Sequence, residues 1–446
     1  MICHNRRPAS SPTTRAFPLT RRIAARFVLA ACLACAVAST AVAADPSFED
    51  PVVPDRRREQ FAKDFGYAAF PYPYQLPGIG SGISLLAGAA NIADTYTDAY
   101  GIVYTGDVKG GAFGVADIHL IPRTLILDAG YSAVSKVTFQ SYSQRGMNTD
   151  KNDFRLLELG DSEYYGARTT ATFYDRRFEV HGAWYEGASR LNSVRDKDGN
   201  IILEAQDPPR DRGHTTIFGA RLDLTDDYAD PRRGFRLDVT RTQTPPKGSG
   251  PDYYVMDYNT TAYVPIGKRN TWAFNVLRSD AFVTRQGETD PAALQQQTGL
   301  NCGIGDPAQQ KSCNDVIANM IANNTFGTAT SLGGFSRLRS YPQGRYQGAH
   351  TLFFGTEFRW NLTDEKTPFD LFVMKDVRTS IQLALFYEAG VTSDTRGDLT
   401  HWNNMRDSYG LGLRVVTASG VVFRGDVAYG REGLNTAIFI GYPWEF

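Results

Sequence analysis

The sequence predicts an all-β fold: a transmembrane antiparallel β-barrel of about 16 strands with a long inward-folding extracellular loop. Three observations predict it. The chain opens with an export signal, its apolar residues recur at alternate positions, and an aromatic-rich segment runs to the last residue, Phe446. A mean hydropathy of −0.33 would suit a soluble protein. In a membrane barrel, however, only alternate residues face lipid, so the average stays low while tyrosine, phenylalanine and glycine run high. The 23 Tyr, 26 Phe and 42 Gly follow that pattern.

The export signal covers residues 1–43. Arg21, Arg22 and Arg26 form its basic start, Phe27 to Ala38 its apolar run, and Ala41-Val42-Ala43 its small-residue cleavage site. Leu29-Ala30-Ala31-Cys32 also resembles a lipoprotein signal, although only about five apolar residues precede the cysteine where ~7 are usual. The Arg21-Arg22 pair alone does not make a twin-arginine signal. Cleavage after Ala43 removes Cys3, Cys32 and Cys35 and leaves Cys302 and Cys313, a pair expected to form a disulfide in an oxidising compartment. Residues 44–78, rich in proline and charge, read as a short periplasmic lead-in, and residues 79–446 as the barrel.

Alternation is cleanest near the end of the chain. Ile381, Leu383, Leu385, Tyr387, Ala389 and Val391 alternate with Gln382, Ala384, Phe386, Glu388 and Gly390. Phe218, Ala220, Leu222 and Leu224 oppose Gly219, Arg221 and Asp223, and between Leu352 and Leu362 the charges Glu357 and Arg359 share one face. A polar face could look outward to water in a sandwich or line the lumen of a barrel; the export signal and Phe446 favour the barrel. In the final segment Thr436, Ile438, Ile440, Tyr442, Trp444 and Phe446 share a face, so Tyr442, Trp444 and Phe446 are expected at the membrane interface as a closing-strand signal. About fifteen segments begin near Gly80, and an even number is expected. Either a strand precedes Gly80 or one lies hidden between Lys136 and Asp161. Asn192 to Gly213 and Thr284 to Tyr346 read as long outer loops.

A net charge of −1 with scattered basic residues gives no footprint for nucleic acid. No His-Glu-x-x-His spacing, Cys/His cluster or Gly-x-Ser-x-Gly elbow occurs, so no metal, cofactor or catalytic residue is expected and the chain is not read as an enzyme.

Residues 331–362, SLGGFSRLRSYPQGRYQGAHTLFFGTEFRWNL, resemble the hallmark region of the BamA/TamA-type bacterial surface antigen superfamily. In that family a long extracellular loop folds into the barrel and carries a Val-Arg-Gly-Tyr or Phe tetrad; Leu338-Arg339-Ser340-Tyr341 corresponds, with serine for glycine. The family's Phe-x-Asp-x-Gly strand motif is matched by Phe386-Tyr387-Glu388-Ala389-Gly390. The resemblance therefore implies a loop-to-barrel lock of Arg339, Tyr341, Glu388, Phe386 and Gly390. If the tetrad's third position needs φ > 0, Ser340 is strained there. Asp230-Pro231-Arg232-Arg233-Gly234 resembles the family's periplasmic turn, and the last hairpins place Arg414, Arg424 and Asp426 on the lumen side with Glu357 and Arg359. The lead-in is too short for the POTRA modules of ~75 residues that insertases and translocases of the family carry.

What the resemblance implies is a barrel working in outer-membrane biogenesis or in polypeptide or lipid translocation; the alternative is a passive or gated pore or structural surface protein. Expected partners are outer-membrane lipid and lipopolysaccharide, the barrel-assembly machinery during the chain's own insertion, and a periplasmic partner in place of POTRA modules.

Overall fold

The structure, a computed structural model, describes residue 61 and residues 65–444 apart from 205–206, 306, 364–367, 372–373 and 418–420. The export signal and Phe446 lie outside the described residues.

Sixteen strands close into one antiparallel barrel. They are β1 Gly66–Leu76, β2 Gly80–Ala90, β3 Asp98–Gly106, β4 Lys109–Ile121, β5 Leu125–Tyr142, β6 Phe154–Phe173, β7 Phe178–Arg195 and β8 Asp211–Asp223. The second half comprises β9 Gly234–Gln243, β10 Asp252–Ile266, β11 Asn270–Arg285, β12 His350–Asn361, β13 Met374–Ser393, β14 Arg406–Thr417, β15 Val422–Gly430 and β16 Gly433–Ile440. Short strands at Ile201–Glu204 and Pro368–Leu371 extend two hairpins. Each wall strand pairs with its neighbours in sequence, and β16 returns to β1. The pleat sends successive side chains to opposite faces. Ile83, Val103, Phe113, Trp184, Phe218, Leu385, Leu411 and Val427 are therefore exposed on the outer face, while Arg221, Glu357, Glu388, Arg414 and Asp426 are buried inside. No helix among the described residues is long and apolar enough to cross a membrane; the strands form the wall.

The strand before Gly80 exists, and it corrects the lead-in boundary. Gly66–Leu76, expected in the periplasm, is part of the wall and pairs with β2 at every position from Gly66↔Ala90 to Leu76↔Gly80. Pro71 and Pro73 obscure it in the sequence, because proline is confined to strand edges, where its missing N–H is tolerated. The edge they occupy is the seam. There Gln75↔Ile438 joins β1 to β16, and Tyr67 pairs instead with Lys375 at the foot of β13. The Tyr72 hydroxyl supplements the seam by donating to the carbonyls of Phe439 at 2.9 Å and Arg424 at 3.2 Å.

The closing strand is also corrected. It ends at Ile440, and Gly441 takes φ 104°, a left-handed conformation that breaks the alternation. Tyr442 and Trp444 consequently leave the outer face and are buried inside the barrel. Asn192 to Gly213 is shorter as a loop than expected, since β7 runs to Arg195 and β8 begins at Asp211.

Candidate functional site

Between β11 and β12 the loop of residues 286–349 carries helices α1 Pro291–Thr298 and α2 Pro307–Phe326. Asp290 caps α1 by accepting from the Ala292 N–H at 3.1 Å, and Cys302, between the helices, forms a disulfide with Cys313 inside α2. The chain then turns into the lumen. Gly333 and Gly334 have φ of 105° and 110°, and a Cβ on Gly333 would meet the Pro342 carbonyl at 2.2 Å, so the descent requires glycine there.

At the loop tip the left-handed residue is Leu338, with φ 50°, and not Ser340. The expected strain at serine is thereby corrected: the Ser340 N–H donates to Ser408 Oγ at 3.0 Å in an ordinary conformation. Arg339 is fully buried. Its Nε donates to Glu388 Oε1 at 3.0 Å, its backbone N–H to Glu388 Oε2 at 2.9 Å, and its Nη1 to Asp426 Oδ2 at 2.9 Å. Nη2 reaches Glu357 Oε2 at 3.3 Å, and the guanidinium lies 3.4 Å above the Phe386 ring. Burial alone would lower the guanidinium pKa, but Glu388, Asp426 and Glu357 outweigh it and hold Arg339 above its usual value. For Arg337 burial wins, and its pKa falls to about 10 despite Asp257 and Glu388.

The wall supplies the rest of the network. Arg414 donates to Glu357 at 2.6 Å, Arg359 to Glu357 at 2.9 Å, and Arg424 to Asp426 at 3.4 Å and to the Phe335 carbonyl at 2.6 Å. Tyr341 donates to the Asp407 carbonyl at 3.2 Å. Gly390 clears the way: a Cβ there would lie 2.7 Å from Leu332 Cδ1 of the loop.

A second arginine fastens the same loop nearer the outer rim. Arg345, fully buried, forks onto Glu432 with contacts of 2.8 and 3.1 Å, donates to Thr149, and lies 4.7 Å from the ring centroids of Tyr142 and Tyr346. Residues 143–153 fold over the lumen beside it. The Gly146 N–H donates to the Gln347 carbonyl at 2.8 Å, Arg145 pairs with Asp394 at 2.6 Å, and Arg406 donates to the Met147 carbonyl at 2.6 Å.

From the other end, the inward tail reaches the lock. Trp444 Nε1 donates to Glu388 Oε1 at 2.9 Å, and its carbonyl accepts from Asn259 at 2.9 Å and Arg337 at 3.1 Å. The Tyr442 hydroxyl bonds to Asp230 and to Gln382 Oε1 at 3.1 Å, and Arg359 stacks 4.0 Å above its ring. Burial foremost, and then Asp230, pushes the Tyr442 pKa well up, so the hydroxyl stays a donor. Asp230 belongs to the Asp-Pro-Arg-Arg-Gly turn. That turn thus crosses the periplasmic mouth to clasp the tail.

The Omp85 superfamily domain matches residues 126–432, a stretch that contains the loop, Arg339 and Glu388. The chain belongs to the Omp85 superfamily. Among solved structures, this Omp85 chain is similar to BamA from Haemophilus ducreyi lacking POTRA domains 1–3, at 13% identity and TM-score 0.43, with 86% of this chain and 69% of that one covered. CdiB from Escherichia coli matches at 10% identity and TM-score 0.47 over 84% of this chain and 62% of its own. CdiB from Acinetobacter baumannii matches at 10% identity and TM-score 0.42 over 83% and 59%. No curated protein sequence matches the chain. Membership places this Omp85 barrel in the bacterial outer membrane.

Geometry brings Arg339, Phe386, Glu388, Glu357, Arg359, Arg414, Arg424 and Asp426 into one buried cluster, with Tyr341 at its outer edge and Gly390 against Leu332 of the loop. Sequence reasoning missed Arg345 and Glu432. Arg345 stood only six residues beyond Arg339 in the hallmark stretch, yet its partner sits at a hairpin tip with no motif around it. Sequence reasoning also missed that Trp444 joins the lock.

Proposed function

We propose that this Omp85 barrel inserts or translocates a polypeptide or lipid through a seam that opens between β1 and β16. The observation that carries this reading is the seam itself. One register pair, Gln75↔Ile438, joins two strands that elsewhere pair continuously with β2 and β15. Pro71 and Pro73 cannot donate across the seam, and β16 stops at Ile440. A wall with one weak joint and a lumen packed by a bolted loop suits lateral release better than steady conduction. A periplasmic partner belongs to the same proposal.

The test closes the seam. Gln75→Cys with Ile438→Cys places two thiols on directly opposed residues, whose Cα atoms lie ~4.5–5.5 Å apart in an antiparallel pair and within disulfide reach. Oxidised cells should accumulate unfolded barrels or undelivered lipid in the periplasm and recover on reduction. Normal envelopes with a fully sealed seam would contradict the reading. Large steady currents in planar bilayers that grow when residues 290–330 are removed would instead favour a gated pore.

A further inference from the structure

The lumen has two unlike halves, and the lock occupies only one. Facing it, the inner surface of β2 to β7 carries a row of glycines and tyrosines. Antiparallel register aligns Gly88, Tyr100, Gly114, Gly130, Gly166 and Tyr185 in one row across six strands. Tyr100 reclines over Gly114, whose added Cβ would meet its ring at 2.4 Å, and Tyr185 reclines over Gly166 at the same distance. Between them Gly130 stays open, with nothing closer than the Phe113 carbonyl at 3.7 Å. Tyr164 stacks on Tyr185 with ring centroids 5.4 Å apart and planes 11° from parallel. Half of the surface of Tyr100 and of Tyr164 remains exposed, at 49% and 51%. No hydrogen bond within the described residues occupies the hydroxyls of these three tyrosines.

Polar groups lie one pleat below. Asp128 opposes Arg168 on the same inner face, and His181 stands diagonally beyond, 7% exposed. Arg168 Nε and His181 Nδ1 are buried without a partner among the described residues.

We propose that this wall is a saccharide-binding site. Two tyrosines reclining over Gly114 and Gly166, about 10 Å or two strand spacings apart, flank the bare floor at Gly130 and make a platform on which a pyranose ring could lie flat. Its C–H face would lie against the tyrosine rings, and its hydroxyls would meet Asp128, Arg168 and the tyrosine O–H groups, while His181 leans away over Gly219. One carboxylate beside one guanidinium complements a polyhydroxyl ligand, which needs acceptors and donors together. An extended peptide is the poorer match. The wall's own N–H and C=O groups are consumed in ladders on both sides, so a peptide laid on it would leave its backbone unpaired.

The test titrates two oligosaccharides, maltohexaose and lipopolysaccharide core freed of its acyl chains, into the full barrel in nanodiscs by isothermal titration calorimetry. Saturable binding of at least one is expected, weakened about tenfold in Tyr164→Ala and again in Tyr185→Ala, since a lost aromatic contact of ordinary strength is worth about one decade. Gly130→Leu leaves every tyrosine in place, fills the floor and should abolish binding. Outer-face Tyr131→Ala should change nothing. Heat-modified gel migration checks that each variant is folded. Preference for maltohexaose assigns a free glucan as the ligand, and preference for the core assigns the glycolipid headgroup. Failure of both sugars to bind, equal binding by folded Gly130→Leu, or binding of an unstructured peptide in their place would overturn the proposal.

Discussion

Arg339 sits fully buried among three carboxylates, and that surrounding decides what each substitution does. Burying charges costs several kcal/mol per ion, recovered only when every partner is present and well placed. Arg339→Lys keeps the charge but loses the fork that reaches Glu388, Asp426 and Glu357 together, so it should lower the unfolding midpoint in urea by an amount equivalent to ~3 kcal/mol or more; an unchanged midpoint would show that the fork is not needed. Arg345 and Glu432 form a separate bidentate pair at the rim. A double-mutant cycle with Arg345→Met and Glu432→Gln should return a coupling of ~1–3 kcal/mol, and additivity within ~0.5 kcal/mol would contradict a second bolt. Both arginines lie in the stretch that resembled the family, yet only Arg339 was legible. Its partner stood in a motif, whereas Glu432 became Arg345's partner through the path of a loop crossing the lumen.

At the scale of elements, the last strand and its tail matter most. Alternation in the sequence runs on through Tyr442 and Trp444, and it misleads because Gly441 reverses the backbone after Ile440. Once inside, the two rings bring polar atoms that find partners: the Trp444 N–H on Glu388 and the Tyr442 hydroxyl on Asp230 and Gln382. Tyr442→Phe should cost ~1–2 kcal/mol, the ordinary loss when buried acceptors lose a donor. It should also free the turn around Asp230, so that trypsin cuts faster at Arg232 and Arg233 from the periplasmic side. Unaltered cutting would mean the tail does not hold the turn. The strands of the wall were legible wherever period two was unbroken, as in β12 and β13. β1 was not, because Pro71 and Pro73 signal a break in sequence while an edge position tolerates both in structure. Helices α1 and α2 were also missed. Helix α1 buries one large apolar residue, Leu294, amid Gln295, Gln296 and Gln297, and the short apolar face of α2, Ile317, Met320 and Ile321, packs with it around the disulfide, a signal too brief to stand out in a long polar loop.

For the whole molecule, the outer rim and the periplasmic mouth are tied through one interior. The loop enters from outside to put Arg339 on Glu388, and the tail enters from the periplasmic end to put Trp444 on the same oxygen, Glu388 Oε1. The tail also holds the Asp230 turn and adjoins the seam. A change at the seam that withdrew the tail would therefore remove one of the bonds that orient Glu388. This links the proposed opening to the lock through a single carboxylate. Composition and alternation made the barrel legible; this link was not, since it depends on which way the chain turns after Ile440, once the wall has closed.

Glu388→Gln tests that link most directly, read by protease cutting near Arg339 on intact cells. The substitution keeps the shape and removes the charge on which Arg339 and Trp444 converge. Faster cutting in the loop, accompanied by release of the tail and a lower unfolding temperature, is the predicted result. Cutting at the wild-type rate, with the tail still buried, would contradict it.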